Sequence, residues 1–468
     1  MSPLRIAFLH PDLGIGGAER LVVDAALGLQ NLGHRVDVYT SHHDPTHCFE
    51  ETRDGTLRIH HVVPPFPRSI RGKFHILFAH ARQLHLTLHL LLRGGPSYDV
   101  YFVDQLSTCI PFLRTFGKTR VVFYCHFPDK LLANGEFVEG RFAKMKGGIL
   151  KRMYRIPMDW VEELTTRQAD IILANSRFTS RVFQTYFRSI PRVPRVVYPG
   201  INISAYETAV DWTDPDIIQV ISDRPTLLSL NRFEKKKNVA LALAAFAQMK
   251  TGSTRLVIGG GYDHRLQDNI ETLASLVSTA ESHSLTFNII TPQSSNTTVP
   301  PFNCQPSDPD ILFVLNFTTG QRSALLTAPS TLCLLYTPAN EHFGIVPVEG
   351  MLCGLPILAC DSGGPTESVL ASPTSERTGW LCRPDAGVWA DALLEIVALS
   401  KEEREALSVR SKSRAKALFG LETMAKGIEE ALQEASAMGP VEALSASFYV
   451  FASLSALVIA MLVMMRLI

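Results

Sequence analysis

Glu341 and Glu349 stand in the run Glu341-His342-Phe343-Gly344-Ile345-Val346-Pro347-Val348-Glu349, with seven residues between them, and Gly363-Gly364-Pro365 follows. That spacing places one acid in a loop ahead of a helix and the other on the helix, so both can face one small polyol ligand. The first can accept hydrogen bonds from a sugar ring, and the second can take the two hydroxyls of a ribose. Two carboxylates at this spacing also occur on solvated helix faces, so the reading depends on the other polar residues of the chain.

Cations suited to such a ligand appear earlier. An apolar strand ending at Leu230 leads into Asn231-Arg232-Phe233-Glu234-Lys235-Lys236-Lys237-Asn238. Arg can grip two oxygens of a leaving diphosphate, and Lys serves as a point charge. Arg232 and Lys237 are the chosen pair, with Lys235 and Lys236 read as a solvated turn. Directly after the first strand comes Gly14-Ile15-Gly16-Gly17-Ala18-Glu19-Arg20, where Gly16 and Gly17 let backbone approach a phosphate or sugar at a helix N-terminus. A dinucleotide fingerprint fails there, because the third glycine of GxGxxG would fall on Glu19 and no ribose-binding acid ends the second strand. His126, in Tyr124-Cys125-His126-Phe127-Pro128-Asp129, follows another strand and is a candidate substrate contact or proton acceptor. Asp214-Pro215-Asp216 and Asp308-Pro309-Asp310 match the DxD pattern of some metal-dependent sugar transferases, but they lie in polar, Pro-containing segments and read as turns. No metal site is expected, which leaves charge neutralisation to Arg232 and Lys237.

The elements that must position these residues alternate between short Val/Ile/Leu-rich runs and helical stretches, the pattern of parallel βαβ units. Strands are expected at 4–9, 34–40, 98–103, 119–125, 169–174 and 194–198, then at 225–230, 254–259, 285–291, 311–315, 331–336 and 355–360. The fold class is therefore α/β, with two Rossmann-like domains facing a cleft: residues 1–200, a linker at 201–224, and residues 225–437. Ligands in such sheets bind beyond the carboxyl ends of the strands. Residues 291–310, rich in Ser, Pro and Asn, read as a surface insertion.

Net charge is zero, which argues against nucleic acid as a partner, and the eight cysteines include no CxxC. Residues 444–463 carry no charge, so a transmembrane helix is expected at 444–465, without a signal peptide at the other end. That places the catalytic domains on the cytosolic face of an internal membrane. Residues 73–93 read equally as an interfacial helix or as an ordinary cover of the first sheet. The basic run containing Lys144, Lys146, Lys151 and Arg152 is a candidate contact for anionic lipid or a pyrophosphate-bearing acceptor.

Taken in order, the Gly16-Gly17 loop, Arg232 with Lys237, Glu341 with Glu349, and Gly363-Gly364-Pro365-Thr366-Glu367-Ser368 resemble the retaining glycosyltransferases of the GT-B fold, over residues 1 to about 435. NRFEKKKN, YCHFPD, EHFGIVPVE and the apolar segment near the end resemble more closely the mannosyltransferases of dolichol-linked oligosaccharide assembly, which add an α-1,3- and then an α-1,6-mannose. The resemblance implies GDP-mannose as donor, with no further cofactor. Arg232 and Lys237 would hold its diphosphate, Glu349 its ribose and Glu341 its mannose. Phe343, Gly344 and Ile345 would offer backbone N–H groups, Gly16 and Gly17 would border the diphosphate, and His126 would meet the sugar or the attacking hydroxyl. The acceptor would be a dolichyl-diphosphate-linked oligosaccharide, the location the endoplasmic reticulum membrane, and other mannosyltransferases of the pathway possible partners. Asn231-Arg232-Phe233 departs from the Gly-Arg-Leu common in the family but keeps the cation. The alternatives are a same-fold transferase with another nucleotide sugar or lipid acceptor, and a non-catalytic membrane-anchored scaffold.

Overall fold

The computed structural model describes residues 2–93, 97–132, 149–207, 209–249, 252–304, 308–441 and 443–465. Its strands form two separate seven-stranded sheets. The first contains β1 (Arg5–His10), β2 (Arg35–Thr40), β3 (Arg58–His61), β4 (Val100–Asp104), β5 (Arg120–Cys125), β6 (Ile171–Ala174) and β7 (Arg195–Val196). The second contains β8 (Thr226–Leu230), β9 (Arg255–Gly260), β10 (Phe287–Ile290), β11 (Ile311–Leu315), β12 (Thr331–Tyr336), β13 (Ile357–Cys360) and β14 (Gly379–Cys382). The spatial orders are β3-β2-β1-β4-β5-β6-β7 and β10-β11-β9-β8-β12-β13-β14, every pair parallel.

Both orders have a switch at which the direction of progression reverses, between β1 and β4 and between β8 and β12. At such a switch the connections leave toward opposite sides and open a crevice beyond the strands' carboxyl ends. Alternation within a strand builds the two faces: Ile6 and Phe8 enter one core layer of the first sheet, Ala7 and Leu9 the other. In the second unit Phe233, Phe313 and Trp389 anchor a large core cluster.

The chain divides at other points than the sequence implies. One unit is Met1–Ile201 with Leu421–Ile468, and the other is Asn202–Gly420. The helix Leu421–Ala437, expected in the second domain, belongs to the first, because Met424, Ile428 and Leu432 are buried in its core. Gly28 permits this packing, since a Cβ there would lie 2.6 Å from the Cβ of Ala425. The expected linker 201–224 is also no free tether, because Ile217 and Val220 are buried.

The expected transmembrane helix needs correction. A helix does run over Ala443–Met465, but among the described residues no helix is long and apolar enough to cross a membrane. It packs instead against the helices Ile149–Thr166 and Ile110–Gly117, burying Ala452 and Ala456. The residues 73–93 form the helix His75–Leu92, whose Leu77, Phe78, Leu86 and Leu90 are buried. Between β10 and β11 the chain has no helix among its described residues, and Val299 and Phe302 pack on the second core.

Candidate functional site

In the second unit the switch between β8 and β12 gathers the cations and both acids. Phe233 is fully buried and pins the segment after β8, so its neighbour Arg232 projects outward with a side chain 62% exposed. The segment lies against the end of β9: Asn231 N and Phe233 N donate to the carbonyls of Gly259 and Gly261 at 2.9 and 3.0 Å. A Cβ on Gly260 would sit 1.8 Å from the Asn231 carbonyl oxygen, so only glycine allows this approach. A short 3-10 turn, Lys235–Lys237, then brings Lys237 Nζ to 2.5 Å from Glu341 Oε2. Thr337, just past β12, ties the turn down by donating to the Lys237 carbonyl at 2.6 Å.

Burial alone would raise the Glu341 carboxyl pKa, but the Lys237 ammonium outweighs it and holds the acid below its ordinary value. Beneath Glu341 lies the buried phenol of Tyr336, whose pKa is pushed far up by burial and by that carboxylate. Gly364 N donates to the Glu341 carbonyl at 2.8 Å, and a Cβ on Gly364 would meet the Phe343 carbonyl oxygen at 2.2 Å. The double glycine thus clamps the acid's loop by backbone contact. Gly344, with φ of 83°, opens the helix Ile345–Leu352, whose first turn has no side-chain cap. The ring of Phe343 is buried against Phe419. On that helix Glu349 is buried, its Oε1 accepting from Tyr206 Oη at 2.5 Å and from Arg322 Nη1 at 3.1 Å.

The switch between β1 and β4 in the first unit holds a second polar group. Gly16 is extended and caps the helix Gly17–Asn31, while the Glu19 carboxylate folds back over it. Alongside, the Asp104 carboxylate joins His10 and His126.

The two matched family regions follow the units. Residues 15–205 match glycosyltransferase family 4, and residues 310–414 match glycosyl transferases group 1. The alpha-1,3/1,6-mannosyltransferase of Rhizomucor pusillus is 42% identical over 465 residues, covering 97% of this chain and 97% of its own. That of Saccharomyces cerevisiae is 39% identical, over 92% of this chain and 84% of its own. The chain belongs to the alpha-1,3/1,6-mannosyltransferase family. It is a glycosyltransferase, and it transfers mannose. Among solved structures, the sucrose-phosphate synthase of Thermosynechococcus elongatus aligns with a TM-score of 0.69 at 19% identity, covering 93% of this chain and all of its own. The starch synthase IV catalytic domain of Arabidopsis thaliana, solved with ADP and acarbose, aligns at 0.66 and 13%, covering 93% of this chain and all of its own. At such identities the likeness shows the α/β, GT-B-like fold.

Of the donor residues expected in this mannosyltransferase, Lys237 pairs with Glu341, Gly344 and Ile345 open the helix that carries Glu349, and Arg232 is exposed on the segment that holds Lys237. Gly16, Gly17 and His126 belong to the first unit. Lys144 and Lys146 lie outside the described residues, as do the side chains of Lys151 and Arg152. Neither DxD run is arranged as a ligand pair: Asp214 caps the helix Pro215–Ile218, Asp216 accepts from Gln293 N, and Asp310 is held by Thr286 and Arg224. Among the described residues no group of three or more His, Cys, Asp or Glu is placed to hold a metal ion. The sequence reading missed Tyr206, Arg322, Gly259–Gly261, His10 and Asp104. The Gly259-Gly260-Gly261 run at a strand end was the one local signal among them.

Proposed function

We propose that this mannosyltransferase moves mannose from GDP-mannose to a dolichyl-diphosphate-linked oligosaccharide, making an α-1,3 and then an α-1,6 linkage with retention of configuration. The observation that carries this reading is the Lys237–Glu341 pair, set beside the helix N-terminus at Gly344. It supplies a cation for the diphosphate, an acceptor for sugar hydroxyls and free N–H groups within one loop system. Arg232 on the rim adds a second cation, and Glu349, gripped at Oε1, is left with Oε2 for a ribose hydroxyl.

Glu341 is already committed to Lys237 and is a poor nucleophile. Transfer is therefore assigned to the same face: the acceptor oxygen bonds to the anomeric carbon as the bond to the phosphate oxygen breaks, the acceptor's proton passes to that departing oxygen, and Lys237 with Arg232 stabilises the charge that collects there. No metal is required in this scheme. Membrane association is assigned to the apolar face of the helix Ala443–Met465, where Phe451, Leu454, Val458 and Met461 are exposed, together with Ile156 and Trp160 of the helix Ile149–Thr166. That docking would hold the units at the cytosolic face of the endoplasmic reticulum, where other mannosyltransferases of the pathway are candidate partners.

The test is full-length protein in lipid, given radiolabelled GDP-mannose or UDP-sugars and a short lipid-linked acceptor, with and without EDTA. Two mannoses added from GDP-mannose in either buffer is the expected result. Transfer from a UDP-sugar alone overturns the donor, one mannose overturns the double linkage, and loss in EDTA overturns the metal-free scheme.

A further inference from the structure

Three neighbouring strands of the first sheet each deliver one polar side chain to the same place beyond their carboxyl ends. His10 closes β1, Asp104 closes β4, and His126 stands one residue past the end of β5. The Asp104 carboxylate uses both oxygens: Oδ1 lies 2.7 Å from Nδ1 of His10 and Oδ2 lies 2.9 Å from Nε2 of His126. Side-chain exposure is 0% for His10, 1% for Asp104 and 19% for His126, so only the last meets solvent.

Burial would raise the Asp104 pKa, but the two imidazoles outweigh it and hold the carboxyl below its ordinary value. Asp104 is then an anion with acceptors only, and each ring must carry a hydrogen on the nitrogen that faces it. Burial would lower the His10 pKa, yet Asp104, with Glu19 and Asp12 beyond it, raises it above the usual imidazole range. A buried carboxylate is costly unless a charge and hydrogen bonds match it. His10 supplies that match from the interior.

We propose that Asp104 and His10 are positioning residues which fix His126 as its Nε2–H tautomer and present the bare Nδ1 as a hydrogen-bond acceptor to a sugar hydroxyl. This rests on the reading that His126 meets a hydroxyl during mannosyl transfer. A carboxylate that merely stapled three strands together would need no solvent-reaching member. Here the third member reaches solvent at the end of the sheet where ligands bind. The Tyr124 ring, 5.1 Å from the imidazole centroid, packs against it and limits rotation.

Two measurements on the full-length protein in detergent decide the matter. In histidine-labelled wild type, 15N spectra are expected to show His126 with hydrogen on Nε2 and none on Nδ1 at neutral pH. The opposite tautomer overturns the proposal. In kinetics, D104L, close in volume but unable to accept, is expected to lower kcat by about 10- to 100-fold, as loss of a partner that orients a histidine does, with KM for GDP-mannose within twofold. H10F should lower kcat by a smaller factor. Combined with H126A, neither should cost more than H126A alone, because both act through that ring. Losses that multiply would show Asp104 and His10 acting independently and would overturn the proposal. Full activity in H126A would instead remove the underlying reading. If D104L fails to fold, the wild-type tautomer still decides.

Discussion

Lys237 is paired with Glu341, and in the proposed scheme the donor's diphosphate meets a cation already aimed by its own counter-ion. Lys237→Ala should lower turnover by about 10²–10³-fold, the scale for removing one group that stabilises transition-state charge. The melting temperature should move little, because a partly exposed ion pair is worth only ~0–1 kcal/mol. Steady-state kinetics beside a thermal melt separates the two. The pair also sets an acid limit. Glu341 is held below its unfolded value, so its contribution to stability is present above that value, near 4.5, and is lost as pH falls through the folded one. Melts from pH 6 to pH 3 should fall less steeply in Glu341→Gln than in wild type. The acids and Lys237 were legible because each lies in a short run whose neighbours carry the same chemistry. His10 and Asp104 were not, being 94 residues apart and marked only as the last residue of an apolar strand. Tyr206 and Arg322 reach Glu349 from other elements, and nothing in their own surroundings announces it.

At the level of elements, the apolar runs located all the central strands, because buried parallel strands must be continuously hydrophobic. The two that escaped notice, β3 and β14, are edges. The sequence of β3, Arg58-Ile59-His60-His61, is polar at three of its four positions, since only one neighbour constrains it. Glycine positions convert these elements into a site. At Gly344, alanine would take a left-handed backbone and put its Cβ 2.9 Å from the Tyr336 ring. Gly344→Ala should cost about 1–3 kcal/mol and lower activity with it, read as a melt and a rate. The helix Ile149–Thr166 supplies a different test. Glu162 is half-buried, accepts from Asp129 N and Lys130 N at 2.6 and 2.9 Å, and has its pKa raised by desolvation to about 8. The folded chain keeps this proton while the unfolded chain, with a value near 4.5, has lost it, so stability declines as pH rises between about 4.5 and about 8. Glu162→Gln keeps an acceptor and removes the titration. Its melting temperature should fall less than that of wild type between pH 5 and pH 8.

For the whole molecule, the division into units was the least legible feature. Composition marks a polar stretch near residue 210, but nothing marks the return of the chain to the first unit at Leu421. The amphipathic pattern of Leu421–Ala437 says only that one face is covered, not which core covers it. Met424, Ile428 and Leu432 each contribute about 1.5–3 kcal/mol on burial, together comparable with the ~5–15 kcal/mol stability of a domain. A chain ended after Gly420 should therefore lose the cooperative melt of its first unit and keep that of its second. A chain ended after Pro440 should keep both. Differential scanning calorimetry of the two truncations checks this.

The second unit is in effect an insertion within the first, entered at Ile201 and left at Leu421, where Leu421 N donates to the Ile201 carbonyl at 3.2 Å. On the ribosome this sets a timetable. The part made first cannot close until the part made last has emerged, an interval of roughly ten to forty seconds at ~5–20 residues per second. Throughout it, the underside of the helix Gly17–Asn31, with Leu21, Val22 and Leu29, lacks its cover. From the time the chain passes Ile201 until Leu421–Ala437 has emerged, a newborn chain therefore carries an open apolar groove, and that groove is where a chaperone should be found waiting.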